Sequence, residues 1–291
     1  MMKRVFAIIL SIAVMVTFSY TPVFAEGESE EAACEHQWSE WAVDQEATCT
    51  EEGLQHHTCE LCGLEEREAI PAAGHDWNKW VVTKKCSPYH TGKKYHICKS
   101  CETKEYKTIP KRKATAKEKA SIKRVKRFLY ATKYHNTTKM KKCFVKCSKD
   151  AFAKKGSEEA KWARKYNKKK MKWTVKDVRT SASGKYVYVK VKVTYANGYK
   201  TYYRAYESWL GWLFNHMDAS DDESADKMVY YIKKSLKKHG MKTTTTKTIT
   251  VKCKHTSKGW KIVKPTNTLK NISNCNMTKA TRDFEKEYGL Y

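Results

Sequence analysis

Apolar positions follow two different rhythms along the chain, and the change comes near residue 111. Before it they are sparse. Trp38 and Trp41 open a short strand, Thr50-Glu-Glu-Gly53 makes a turn, and segments 55–59 and 64–70 flank a C-x-x-C as partner strands until Pro71 stops the pairing. Beyond 111 the period becomes helical, with Ile122, Val125, Phe128 and Leu129 on one stripe and Met140, Cys143, Phe144 and Cys147 on a second. Strands are predicted over 173–178 and 186–195. Asn197-Gly198 then signals a hairpin pairing Val193 with Tyr202, Val191 with Arg204 and Val189 with Tyr206, so that Arg204 either lines a pocket on that face or, the favoured reading, snorkels at its rim. Ser220 and Glu223 form a capping box for a helix that turns Met228, Val229, Ile232 and Leu236 inward and stops at Gly240. Residues 243–255 alternate, with Ile249, Val251 and Cys253 on one face, and Gly259 turns the chain into a strand over 260–263.

The sparse region is written twice. His36-Gln-Trp38-Ser-Glu-Trp41 lies over His75-Asp-Trp77-Asn-Lys-Trp80 at an offset of 39, which Cys59/Cys62 over Cys98/Cys101 and Ile70-Pro71 over Ile109-Pro110 preserve. The lone cysteines Cys49 and Cys86 are offset by 37, so a length change sits in a loop. Three thiolates and an imidazole make a sufficient tetrahedral zinc shell, and about forty residues bury too little apolar surface to fold unaided. One zinc is therefore expected on His36, Cys49, Cys59 and Cys62, and a second on His75, Cys86, Cys98 and Cys101. His75 could close the first set instead, but the second would then need a histidine soon after Pro110, and none occurs before His135. His57 and His96, also offset by 39, read as strand-surface residues, with metal ligation the alternative, and the tryptophans as a small core, with a carbohydrate platform the alternative.

Composition extends this picture. Among 291 residues, 1–25 read as a signal peptide, with Lys3 and Arg4, an apolar run and Val23-Phe24-Ala25 as cleavage site, and 26–35 as an acidic leader. The first repeat spans 36–71, the second 72–110, a basic linker 111–118, the C-terminal domain 119–280 and a tail 281–291. The fold class is thus α+β: two small β-rich zinc-ribbon-like repeats plus a C-terminal helix-and-curved-antiparallel-sheet domain. Of eleven cysteines, Cys34 is left as an odd thiol, and export predicts a disulfide from Cys143 or Cys147 to Cys253 or Cys275. Net charge is −13 over 26–71, +5 over 72–110 and +33 over 111–291. So basic a body implies polyanionic partners, unless it is simply a solvated lysine-rich surface.

The repeats resemble one recurrent in exported proteins of Gram-positive bacteria, carried here by His36-x-Trp38, Ala47-Thr48-Cys49-Thr50, Cys62-Gly63 and the Ile-Pro endings. The second copy departs from it at Lys84-Lys85-Cys86-Ser87 and Cys101-Glu102. The resemblance implies stalk or binding modules and no defined activity. The order of helices and strands after 119 resembles the cone-shaped nuclear-transport-factor-two-like fold, which hosts enzymes and binders alike. No G-x-S-x-G, H-E-x-x-H or glycine-rich phosphate loop is present, and His135, His216, His239 and His255 lack an evident acidic orienter. The expectation is a secreted or cell-envelope protein that is no enzyme. Its zinc-stabilised repeats precede a basic domain that binds an anionic cell-wall polymer, a membrane surface or a protein partner. The alternatives are an enzyme using the cone pocket and a nonspecific extracellular nucleic-acid binder.

Overall fold

The computed structural model describes residues 34–290. The signal peptide and all but the end of the acidic leader lie outside the described residues. The chain divides into two compact units, Met1–His75 and Asp76–Tyr291.

The first unit holds repeat one as an antiparallel sheet in the order β1 (Ala42–Gln45), β2 (Gly53–Thr58), β3 (Glu65–Ile70). Gly53 must be glycine, because a Cβ there would stand 2.4 Å from the Gln45 carbonyl oxygen and 2.6 Å from the Ala47 nitrogen. The knuckle after β2 closes as Cys59 N–H donates to Leu64 and Gly63 N–H to Cys59, with Gly63 in the left-handed region at φ 76°.

Repeat two begins the second unit with the same sheet, β4 (Val81–Lys84), β5 (Gly92–Ile97), β6 (Lys104–Ile109). The body follows as α1 (Ala116–Lys133), α2 (Thr137–Lys141), α3 (Glu158–Lys170), β7 (Lys172–Thr180), β8 (Tyr186–Ala196), α4 (Tyr199–Phe214), α5 (Asp221–His239), β9 (Thr244–Thr256), β10 (Gly259–Ile262), α6 (Asn267–Ser273) and α7 (Met277–Glu287). Its strands make one antiparallel sheet in the order β10-β9-β8-β7. Val187, Val189, Val191 and Val193 alternate onto one face of β8 and pack, fully buried, with Val125, Phe128 and Leu129 of α1. A second core gathers Tyr202 and Tyr206 of α4, Ile232 and Leu236 of α5, and Phe284 of α7.

Repeat two is fastened to this body. Arg112 donates to both oxygens of Glu118, at 2.8 and 2.7 Å, and Glu118 also accepts from Thr115 N–H and the Thr180 hydroxyl. Burial opposes the charge on Glu118, but these donors, led by Arg112, hold its carboxyl down at about 2. His90 Nε2 donates to the Lys176 carbonyl at 2.8 Å, and Tyr89 packs against the sheet core.

Several expectations need correction. Asn197-Gly198 is no hairpin turn: Asn197 Oδ1 accepts from Tyr199 N–H and Gly198 caps α4. The helical spacing of Tyr202, Ala205, Tyr206 and Leu210 outweighed the local turn signal, so Val193 pairs with Trp173 and Lys247, and Arg204 is exposed on a helix. The second apolar stripe is helical only to Lys141. Beyond it tight turns, in which Cys143 N–H donates to Met140 and Phe144 N–H to Lys141, carry the chain to Phe144, which bridges Ile262, so Cys143 and Phe144 are buried by another route. Val229 of α5 is exposed, and α7 runs through residues 281–287, read as tail, with Phe284 buried. No disulfide joins Cys143 or Cys147 to Cys253 or Cys275, so the expected bridge is absent and the buried three of these four act as small core residues.

Candidate metal centres

In repeat one the donors converge at the knuckle end of the sheet. Cys34, His36, Cys59 and Cys62 place their ligand atoms within 4.8 Å of one another. Cys62 Sγ lies 3.4 Å from His36 Nδ1, and the sulfurs of Cys34 and Cys59 are 3.8 Å apart. Trp38 bridges to Cys59, and Glu60 N–H donates to the Gln37 carbonyl, so backbone pairing brings the His36 segment beside the knuckle. Burial opposes ionisation of Cys59. A hydrogen bond with His36 and the backbone N–H groups of Cys62 and Leu61 outweigh it and bring the thiol down to about 5. Cys34 is pushed up to about 11, first by its hydrogen bond with Cys62, then by burial and Cys59. One thiolate thus sits beside the protonated sulfur of Cys34. Such a set fits a soft divalent cation, whose charge would draw off the remaining protons.

This grouping differs from the one read along the repeat. Cys49 precedes β2 and Cys59 follows it, and a six-residue strand separates its ends by about 20 Å. The two cannot share an ion. Cys49 lies instead at the sheet's other end, where Ala73 N–H donates to the Thr48 carbonyl. Cys98 and Cys101 sit on the matching knuckle of repeat two, which closes as Cys98 N–H donates to the Thr103 carbonyl and Glu102 N–H to the Cys98 carbonyl. Cys86 is not at that knuckle. It is separated from Cys98 by β5 for the same reason, is half-buried, and lies close enough to Arg112 to help raise the guanidinium pKa, after Glu118. Cys34, left out of the sequence assignment because it precedes the repeat period, takes the place given to Cys49. Its signal was the Cys34-Glu-His36 spacing, which brings two donors to one side of an extended segment.

The two histidines read as surface residues are enclosed. His57 is sandwiched between Trp38 and Trp41, with ring centroids 4.2 and 3.8 Å away, and His96 between Trp77 and Trp80 at 4.1 and 3.7 Å. Their Nε2 atoms meet Glu66 at 3.2 Å and Glu105 at 2.6 Å. The hydrogen bond from His96, then one from Lys107, holds Glu105 below the usual carboxylate range. Each sandwich serves as the core its repeat otherwise lacks.

No protein-family description matches the chain, and no curated protein matches it. A solved structure from Bacillus subtilis subsp. subtilis, described as a "putative lipoprotein (ycdA)", is similar at 15% identity over 72% of this chain and 74% of that one, with a TM-score of 0.31. No helix among the described residues is long and apolar enough to cross a membrane.

Proposed function

We propose that this is an exported cell-envelope binding protein whose repeats are stapled by two structural zinc ions and whose basic body holds an anionic polymer. The observation that carries the reading is the convergence of three thiols and an imidazole on a sheet with almost no apolar core. Such a module needs a staple, and the donor chemistry suits zinc. The N-terminal sequence supports export, and the +33 of residues 111–291 supports a polyanion as ligand.

Native mass spectrometry of protein purified without added zinc or reductant should find two metal ions per chain. Disulfides joining Cys59 to Cys62 or Cys98 to Cys101 would refute the staple. Binding to a wall-type phosphate polymer should fall roughly a thousandfold between 50 and 200 mM salt, if six or more charges engage. Deleting residues 26–71, net −13, should tighten it, and replacing Lys168, Lys169 and Lys170 with Glu should weaken it. Salt-resistant binding would refute the charge-driven reading.

A further inference from the structure

The sheet of the body has two unlike faces. On β8 the valines alternate inward, which turns Tyr186, Tyr188, Lys190, Lys192 and Thr194 outward. Lys190 and Lys192 are exposed although β7 and β9 flank them, so among the described residues no element covers this part of the face. The register extends it. Arg179 and Lys252 stand beside Tyr188, Lys254 and Lys261 continue the row of Tyr186, and Lys172 lies opposite Thr194. Seven cations share the face with a single carboxylate, Asp177, which is buried and held by Arg179 at 3.1 Å and by Val178 N–H.

An ordinary solvated sheet face intersperses both signs. Here Lys254 faces Lys261 directly across the strand pair, an arrangement that costs stability unless anions attend it. Thr246, Thr248 and Thr250 add a row of hydroxyls along β9, each beside an outward residue of β8. Lys190 and Lys192 are about 7 Å apart along the strand. The geometry points to this open face as the surface along which a flexible phosphodiester polymer lies, its phosphates on the lysines and hydroxyls; this rests on the polyanion reading above. Aromatic bases are disfavoured because the tyrosine rings are already covered: Lys252 Nζ stands 3.9 Å from the Tyr186 ring centre and 5.9 Å from that of Tyr188.

The test compares two triple variants of the full chain, Lys190→Gln/Lys192→Gln/Lys252→Gln on the sheet and Lys168→Gln/Lys169→Gln/Lys170→Gln on α3. Binding is measured to purified poly(glycerol phosphate), to oligo-dT with the same number of phosphates and to anionic vesicles, across a salt series. The sheet triple should weaken poly(glycerol phosphate) binding about tenfold at 50 mM salt and lower the log–log salt slope by about two, the helix triple by less than half as much. Equal effects of the two triples, or a sheet triple that binds like wild type, would overturn this inference and leave the polyanion reading standing. Wild-type protein that binds no poly(glycerol phosphate) would overturn both. Tighter binding of oligo-dT or of vesicles than of poly(glycerol phosphate) would overturn the assignment of ligand.

Discussion

Repeat one pairs its long strands from Gly53↔Ile70 to Thr58↔Glu65, and repeat two from Gly92↔Ile109 to Ile97↔Lys104, register for register. Both keep the Trp-His-Trp sandwich, the glutamate on its histidine and the bulge in the first strand. Yet residues 26–71 carry −13 and residues 72–110 carry +5. The comparison teaches that charge is free to vary here, while a few positions without steric or chemical slack are not. It also shows where the copies divide their labour. Three residues separate Cys49 from Gly53, five separate Cys86 from Gly92, and the lengthened loop brings Tyr89 and His90 to the body. Repeat one, with Cys34 just before it, gathers four donors at its own knuckle; repeat two is fastened by protein anchors.

The sharpest way to break the likeness is at the glycines. Gly92, like Gly53, has a carbonyl oxygen 2.4 Å from where a Cβ would be, that of Lys84. Gly53→Ala and Gly92→Ala should each cost about 3 kcal/mol in their own repeat, because backbone must move. Amide hydrogen exchange resolved by repeat would show it, and full protection in either variant would deny that the close approach sets the fold.

The anchors of repeat two offer a second, smaller effect. Glu118→Gln should destabilise the second unit by roughly 2 kcal/mol at neutral pH, since it removes a charge that Arg112 and two further donors serve. The pH dependence has a definite sign. The carboxyl sits at about 2 when folded and near 4.3 when unfolded, so its contribution is complete above about 4.3 and is lost as pH falls towards 2. Thermal melts of wild type and variant should therefore converge across that window. Parallel curves would place the contribution elsewhere.

The smallest effect concerns the knuckle turns. Glu102 occupies at φ 58° the left-handed position that Gly63 holds at 76°. Glu102→Gly should stabilise repeat two by about 1 kcal/mol, and Gly63→Glu should cost repeat one a similar amount, both read by chemical denaturation. A destabilising Glu102→Gly would mean that the side chain earns its place through contacts.

Much of this was legible in the chain and some was not, for identifiable reasons. The 39-residue offset, the inward valines of β8 and the helix from Ser220 to Gly240 follow from local periodicity and capping, which the structure keeps. Asn197-Gly198 misled because a two-residue signal competed with a helix whose buried positions lie further along. The donor sets misled for another reason. A sequence period says which residues correspond but not which end of a strand each occupies, and Cys49 and Cys86 are divided from their own knuckles by β2 and β5. The six-residue length of those strands contained the answer. His57 and His96 were placed on the surface by alternation alone, which does not reveal that two tryptophans from an earlier segment close over them.

Which of the lone cysteines bind metal is tested most directly by counting metal ions by native mass spectrometry in Cys34→Ser and Cys86→Ser. Cys34→Ser should lose one of two ions or hold it much more weakly, since its sulfur stands 3.8 Å from that of Cys59, whereas Cys86→Ser should keep both. Two tightly held ions in Cys34→Ser, together with loss of one in Cys86→Ser, would contradict the grouping and restore the assignment of one ion to each repeat's own cysteines.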